Sequence, residues 1–267
     1  MTDLKLICVD MDGTFLNHDM TYNRQRFERL RTIMNQRGIK FAVASGNQYE
    51  QLKSFFSNPD ELIYIAENGT YIKDQHEVLF VSAFESADLE RFWDWLDQHP
   101  YSLSISTPNL AYVLPDEPRK DFISLYYYAL AEIDSFRSIT APVIKLSLIV
   151  PEVEGPLVKA ELNALFEGRA TAVYSGFDSV DVMVSGTHKG SGVTRICERY
   201  GIHPDEVVAF GDNDNDAEML KVAGQSYAME TASPAAKSAA KFIAPANYND
   251  GVNTILEHLL TKTNPNG

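Results

Sequence analysis

Leu4-Lys5-Leu6-Ile7-Cys8-Val9 runs directly into Asp10-Met11-Asp12-Gly13-Thr14. The apolar run reads as a short buried strand, and it delivers two carboxylates spaced i and i+2. In extended chain those positions face the same way, so Asp10 and Asp12 are expected to project towards one site. Two anions brought together repel and lose solvent, a cost that calls for a compensating cation or a chemical task. A nucleophile, a magnesium ion and a general acid would together be such a task.

Outward from this stretch, strand and helix patterns alternate. Tyr22 to Gln36 carries Phe27, Leu30, Ile33 and Met34 at helical spacing, with Gly38 as a stop. Ile39 to Ala44 reads as a second buried strand ending in Ser45-Gly46-Asn47. A helix over Tyr49 to Phe56 follows, then a strand over Leu62 to Ala66 ending in Glu67-Asn68-Gly69. This order predicts an α/β fold, a Rossmann-like parallel sheet covered on both faces.

The rhythm changes between about Phe80 and Ser185. The spacing predicts helices over Ala87–Gln98, Arg119–Leu130 and Gly155–Phe166. Strands are expected over Ser102–Ser106, Leu110–Val113, Val143–Val150, Thr171–Tyr174 and Val180–Val184. Strands that cluster with strands indicate a smaller inserted α+β domain with an antiparallel sheet. The expected division is 1–82 for the first part of the core, 83–186 for the cap and 187–267 for the second part of the core. Alternation resumes at Lys189, and Val207 to Phe210 reads as a buried strand ending in Gly211-Asp212-Asn213-Asp214-Asn215-Asp216. The tail after Thr261 is expected to fray.

The chain has 267 residues, 45% hydrophobic and 22% charged, with a formal net charge of -14. No stripe of Lys and Arg is present, so nucleic acid and anionic membrane are poor partners. No apolar segment approaches the roughly 20 residues of a membrane span, and with the first strand starting at once no signal peptide is expected. The two cysteines, Cys8 and Cys197, lie in apolar patterns and read as buried reduced thiols, which points to the cytoplasm. An anionic substrate would need a local cation.

Ligands of open parallel sheets bind at the carboxyl ends of the strands. Four polar clusters fall there: Asp10/Asp12, Ser45/Gly46, Lys189 at a helix start, and Asp212 to Asp216. The combination suits a divalent cation and a phosphate. Carboxylates of Asp10 and Asp212 are hard ligands for Mg²⁺, Lys189 supplies the missing cation, and Ser45 adds a hydroxyl donor. Two alternatives fail on spacing. An EF-hand loop from Asp212 would place Ala217 at the Gly position and Ala223 at the Glu position. Gly186-Thr187-His188-Lys189-Gly190-Ser191-Gly192 has Lys before Gly, the reverse of a P-loop.

Asp10-Met11-Asp12-Gly13-Thr14, Ser45-Gly46, Lys189-Gly190 and Gly211 to Asp216 together resemble, in order, the four motifs of the haloacid dehalogenase superfamily. The insert between the second and third motifs resembles the Cof-like sugar-phosphatase branch, which carries an α/β cap there. The resemblance implies that Asp10 attacks the phosphoryl group to form an aspartyl-phosphate. Asp12 would protonate the leaving alcohol and then deprotonate water. Mg²⁺ would be held by Asp10, Asp212 and the backbone carbonyl of Asp12. Ser45, Gly46, Lys189 and Asn215 would bind the phosphoryl group, with Asp216 in support. Asn47 stands where many members have Arg.

Plainer roles are expected elsewhere. His188 reads as structural, Asp214 as a loop residue, and Phe92, Trp93 and Leu96 as cap core. Asn68 suits a turn as well as a supporting role. Phe177 and Asp178, between two cap strands, are candidates for leaving-group contacts. The expectation is therefore a Mg²⁺-dependent phosphatase of small phosphomonoesters, sugar phosphates first, with FMN or pyridoxal phosphate as alternatives. A phosphomutase with the same nucleophile and a non-catalytic phospho-ligand sensor remain open, as does the oligomeric state.

Overall fold

The computed structural model describes residues 3–176 and 178–262. Among these, the larger sheet has eight strands in the spatial order Phe242–Ala244, Gln225–Met229, Val207–Gly211, Leu6–Val9, Lys40–Ala44, Ile63–Ala66, Tyr71–Lys73 and Val78–Val81. The first six run parallel; the last two return as antiparallel strands. Leu6 to Val9 are wholly buried in the middle of this sheet, which explains their unbroken apolar character.

Helix Arg24–Gln36 buries Phe27, Leu30 and Met34, the stripe expected from its spacing, and Asn23 caps it by accepting the Arg26 amide. Phe27 meets Phe15 and Phe41 at ring-centroid distances of 5.0 Å. Each such fully buried side chain contributes about 1.5–3 kcal/mol. On helix Lys189–Tyr200, a Cβ at Gly192 would lie 2.6 Å from Ile65 Cγ2. Only glycine lets this helix lie so close to strand Ile63–Ala66, and that approach sets the position of Lys189.

The chain leaves the larger sheet after Val81 and rejoins it at Val207. Between lies a smaller sheet, in the order Ala170–Gly176, Ser179–Val184, Lys145–Ile149, Ser102–Ser106, Ala111–Val113 and Leu130–Glu132. It has its own apolar core, which includes Phe92, Trp93, Leu146, Leu148 and Phe166; Leu96 packs against that core half-buried. The architecture is thus α/β with a cap. The smaller sheet is antiparallel as expected except at its edge, where Leu130–Glu132 pairs parallel with Ala111–Val113.

That edge corrects the helix expected over Arg119–Leu130. The observed helix covers only Lys120–Ser124. Ala129 then gives its carbonyl to Ala111, and the amide side chain of Gln48 pairs with both the N–H and C=O of Ala129. Tertiary pairing of the backbone outweighs a short run of local helical periodicity here. The tail beyond residue 262 and Phe177 lie outside the described residues. Cys8 and Cys197 are buried free thiols. No helix among the described residues is long and apolar enough to cross a membrane.

Candidate active site

The Asp10 amide donates to the Phe210 carbonyl at 3.0 Å, carrying the strand pairing one residue past Val9. The chain then turns tightly, and the Met11 carbonyl accepts from the amides of Thr14, Phe15 and Leu16. Gly13 makes the turn with φ +81°, and a Cβ there would lie 2.4 Å from Asp212 Oδ2. A side chain would be both strained and in the way. The turn thereby brings the Thr14 hydroxyl to donate to Asp212 Oδ1 at 2.7 Å.

Beneath Asp10 lies a buried charge cluster. Lys189, 1% exposed, donates to Asp10 Oδ1 and Asp216 Oδ1, both at 2.6 Å. His188 caps its helix by accepting the Ser191 amide, the structural role expected of it. Asp216 uses its other oxygen to accept the amides of Asp212 and Asn213, at 2.9 and 3.0 Å. Burial opposes the charge on Lys189, but Asp10 and Asp216 outweigh it and raise the ammonium's pKa. The Asp10 carboxyl is pushed well above its ordinary value by burial first, then by Asp216 and Asp212, against the pull of Lys189.

Ligand oxygens of Asp10, Asp212 and Asp216 lie within 4.8 Å of one another. Asp216 is fully engaged by Lys189 and two amides, and Asp12 places its side chain elsewhere. Asp10 and Asp212 are left as adjoining carboxylates, and burial raises Asp212 above its usual range. Two hard oxygen donors with too little positive charge between them fit a small divalent cation.

Asp12 faces the cleft above. Its Oδ2 accepts from Asn47 Nδ2 at 2.8 Å, so the residue that departs from the pattern the resemblance implies is a direct partner of this carboxyl. Partial burial against the cleft raises its pKa, and Asn47 and Lys189 oppose that shift. Ser45 is buried and accepts the Asn47 amide at 3.1 Å, while Gly46 packs on Asn68. Asn68 adopts a left-handed turn at φ 55° and accepts from Asn215 Nδ2 at 3.0 Å. The turn is the plainer of the two roles expected of it. Asp214, expected in a loop, instead opens the short 3₁₀ turn Asp214–Asp216 and accepts from Ser233.

The cleft measures about 500 Å³ and lies between the two sheets. Asp10, Asp12, Ser45, Gly46 and Asn215 line one wall; Ser104, Phe122, Tyr127, Lys145, Ser147 and Asp181 line the other. Lys189 and Asp216 are buried behind Asp10, and Asp212 is half-buried beside Thr14. Asp178 occupies the turn before Ser179 with φ 59°, and it is Asp181, further along that strand, that meets the cleft.

Several cleft residues escaped the sequence reading. Glu67 follows strand Ile63–Ala66, gives its N–H to the Asn47 carbonyl, and forms a buried ion pair with Lys145 across the cleft. Burial raises Glu67 while Lys145 lowers it; Lys145 itself is raised because Glu67, Tyr127 and Asp181 outweigh its burial. A signal for the far wall was present. Ser102-Leu103-Ser104-Ile105-Ser106, Lys145-Leu146-Ser147-Leu148 and Ser179-Val180-Asp181-Val182 all alternate polar and apolar. Period two implies a sheet with one polar face.

The family model for haloacid dehalogenase-like hydrolases matches residues 7–256. A 5-amino-6-(5-phospho-D-ribitylamino)uracil phosphatase of Escherichia coli is 36% identical, over 98% of this chain and 98% of its own. A pyridoxal phosphate phosphatase of the same species is 28% identical, over 96% and 99%. A crystal structure from Streptococcus mutans superposes with a TM-score of 0.87 at 30% identity, covering 97% of this chain and all 100% of that one.

Proposed function

The chain belongs to the haloacid dehalogenase-like hydrolases and acts on phosphate monoesters, and on that premise we propose that it is a Mg²⁺-dependent phosphatase working through a phosphoryl group carried by Asp10. The observation that supports this most is the pair itself. Asp10 and Asp12 meet one cleft in unlike surroundings, the first bound to Lys189 and the second to Asn47. Unlike surroundings suit unlike roles.

Lys189 fixes the Asp10 carboxylate and lessens the repulsion of its neighbours, so Asp10 presents an oxygen to phosphorus. As that bond forms, the bond from phosphorus to the ester oxygen breaks, and Asp12 gives its proton to the departing alcohol. Asp12, now a carboxylate, takes a proton from water, whose oxygen attacks phosphorus. Inorganic phosphate leaves and Asp10 is regenerated. Ser45 and Asn215 lie on the cleft wall where phosphoryl oxygens would gather, and Asn68 holds Asn215. Asp10, Asp212 and the Asp12 carbonyl would hold Mg²⁺, which when bound supplies positive charge to the phosphoryl oxygens.

For the substrate, the E. coli relative acts on a phosphorylated ribityl chain attached to a pyrimidine. A cleft with Phe122, Tyr126 and Tyr127 among its cap residues suits a sugar-derived phosphate with a planar group. That compound heads the candidates, ahead of FMN, pyridoxal phosphate and simple sugar phosphates. Buried free thiols agree with a reducing, cytoplasmic setting. The test is phosphate release across a panel of phosphomonoesters with and without magnesium, with Asp10→Asn as blank. Release by the variant equal to wild type would overturn the assignment of Asp10.

A further inference from the structure

Resting on that phosphatase reading, we infer that one row of the cap sheet, Ser104–Ser147–Asp181 with Tyr127 above it, is a subsite for the hydroxyl groups of a polyol leaving group. Strand register builds the row: Ser104 is opposite Ser147, and Ser147 is opposite Asp181. With strands about 4.8 Å apart, the row is roughly 10 Å long, enough to meet more than one hydroxyl of the same molecule. The alternate residues Leu103, Leu146, Leu148, Val180 and Val182 enter the cap core, so the polar set is held towards the cleft by the pleat itself.

The hydrogen bonds give this row a direction. Ser104 Oγ donates to Tyr127 Oη at 3.0 Å, and Tyr127 donates onward to Ser147 Oγ at 3.2 Å. Ser104 thus keeps an oxygen able to accept, and Ser147 keeps an O–H able to donate. Among the described residues no donor reaches the Asp181 carboxylate, which remains an acceptor. Lys145, in the next row and paired with Glu67, adds a fixed positive charge beside it. Acceptor, donor, acceptor in sequence is the complement of successive hydroxyls, each of which donates and accepts. A purely apolar or hydroxyl-free leaving group would leave these groups unpaired.

The opposite wall places Asp10 and Asp12 across the cleft from the row. A phosphate ester lodged at Asp10 would therefore lay its carbon chain against these hydroxyls. The subsite reads the alcohol, whereas the core reads the phosphate.

The experiment compares ribitol 5-phosphate with p-nitrophenyl phosphate for wild type, Ser147→Ala and Asp181→Asn, all with magnesium. The expected result is a fall in kcat/KM for ribitol 5-phosphate of roughly tenfold for Ser147→Ala and up to about a hundredfold for Asp181→Asn. Activity on p-nitrophenyl phosphate should stay within about twofold, which also shows that the variants fold. Equal losses on both substrates, or no loss on ribitol 5-phosphate, would overturn the subsite. If wild type cleaves p-nitrophenyl phosphate in an Asp10-dependent manner but ignores ribitol 5-phosphate, the subsite fails and the phosphatase stands. If it cleaves no ester, the phosphatase reading fails first.

Discussion

Replacing Lys189 by Met should destabilise the protein far more than it changes its shape. Lys189 is 1% exposed and neutralises Asp10, 5% exposed, and Asp216, wholly buried. Met fills similar space but leaves those carboxylates, with Asp212 nearby, without their cation. Removing one partner of a buried ion pair costs about 3–5 kcal/mol. At a urea slope of about 3 kcal/mol per molar, the midpoint falls by roughly 1–2 M. The assay is urea unfolding with EDTA present, followed by far-UV circular dichroism. A second substitution sharpens it. In Lys189→Met/Asp216→Asn, the Asn oxygen can still accept the amides of Asp212 and Asn213, as Asp216 Oδ2 does now, while one charge disappears. The double variant should recover more than about 1 kcal/mol relative to Lys189→Met. A Lys189→Met midpoint equal to wild type, or no recovery in the double variant, would refute the view that Lys189 balances this cluster.

Thr14→Val removes the donor to Asp212 Oδ1 and should weaken magnesium binding about 10–100-fold, measured by calorimetry; unchanged affinity would remove Thr14 from the site. Gly13→Ala should cost about 1–2 kcal/mol for its left-handed backbone and displace Asp212 as well, so magnesium affinity should fall below that of Thr14→Val. Lys145→Met should strand Glu67 and lower stability by about 3–5 kcal/mol, whereas Lys145→Met/Glu67→Gln should lie near wild type. Equal loss in both, read by thermal unfolding, would mean that the pair matters for packing and not for charge.

The core wall of the cleft was legible because uncommon polar residues stand at the ends of its apolar strands and at a helix start. Asp10, Asp12, Ser45 and Asp212 announce themselves where apolar runs stop and Lys189 at the start of a helix, and the structure brings them to one end of the sheet. Asn47 was visible as a departure, yet its bond to Asp12 depends on where two loops meet. Glu67 and Lys145 are 78 positions apart, and their pairing follows from how the cap seats on the core, which local spacing does not encode. Gln48 and Ala129 are joined for the same reason, and that long-range contact accompanies the shortened cap helix. The serine-rich cap strands are the opposite case. Their period-two pattern was on the page and implied a polar face, but a strand's polar side reads as solvent-facing until a second wall is known to stand opposite.

In the proposed reaction phosphate passes through Asp10, and Asp12 is needed to release it. p-Nitrophenolate leaves with little help from an acid, so Asp12→Asn should still form the phosphorylated enzyme but hydrolyse it slowly. With p-nitrophenyl phosphate and magnesium, rapid mixing should show a burst close to one nitrophenolate per enzyme. Mass analysis of acid-quenched protein should place the phosphoryl group on the peptide bearing Asp10. A linear time course with no burst, and no phosphoryl group on that peptide, would rule out Asp10 as the carrier of phosphate.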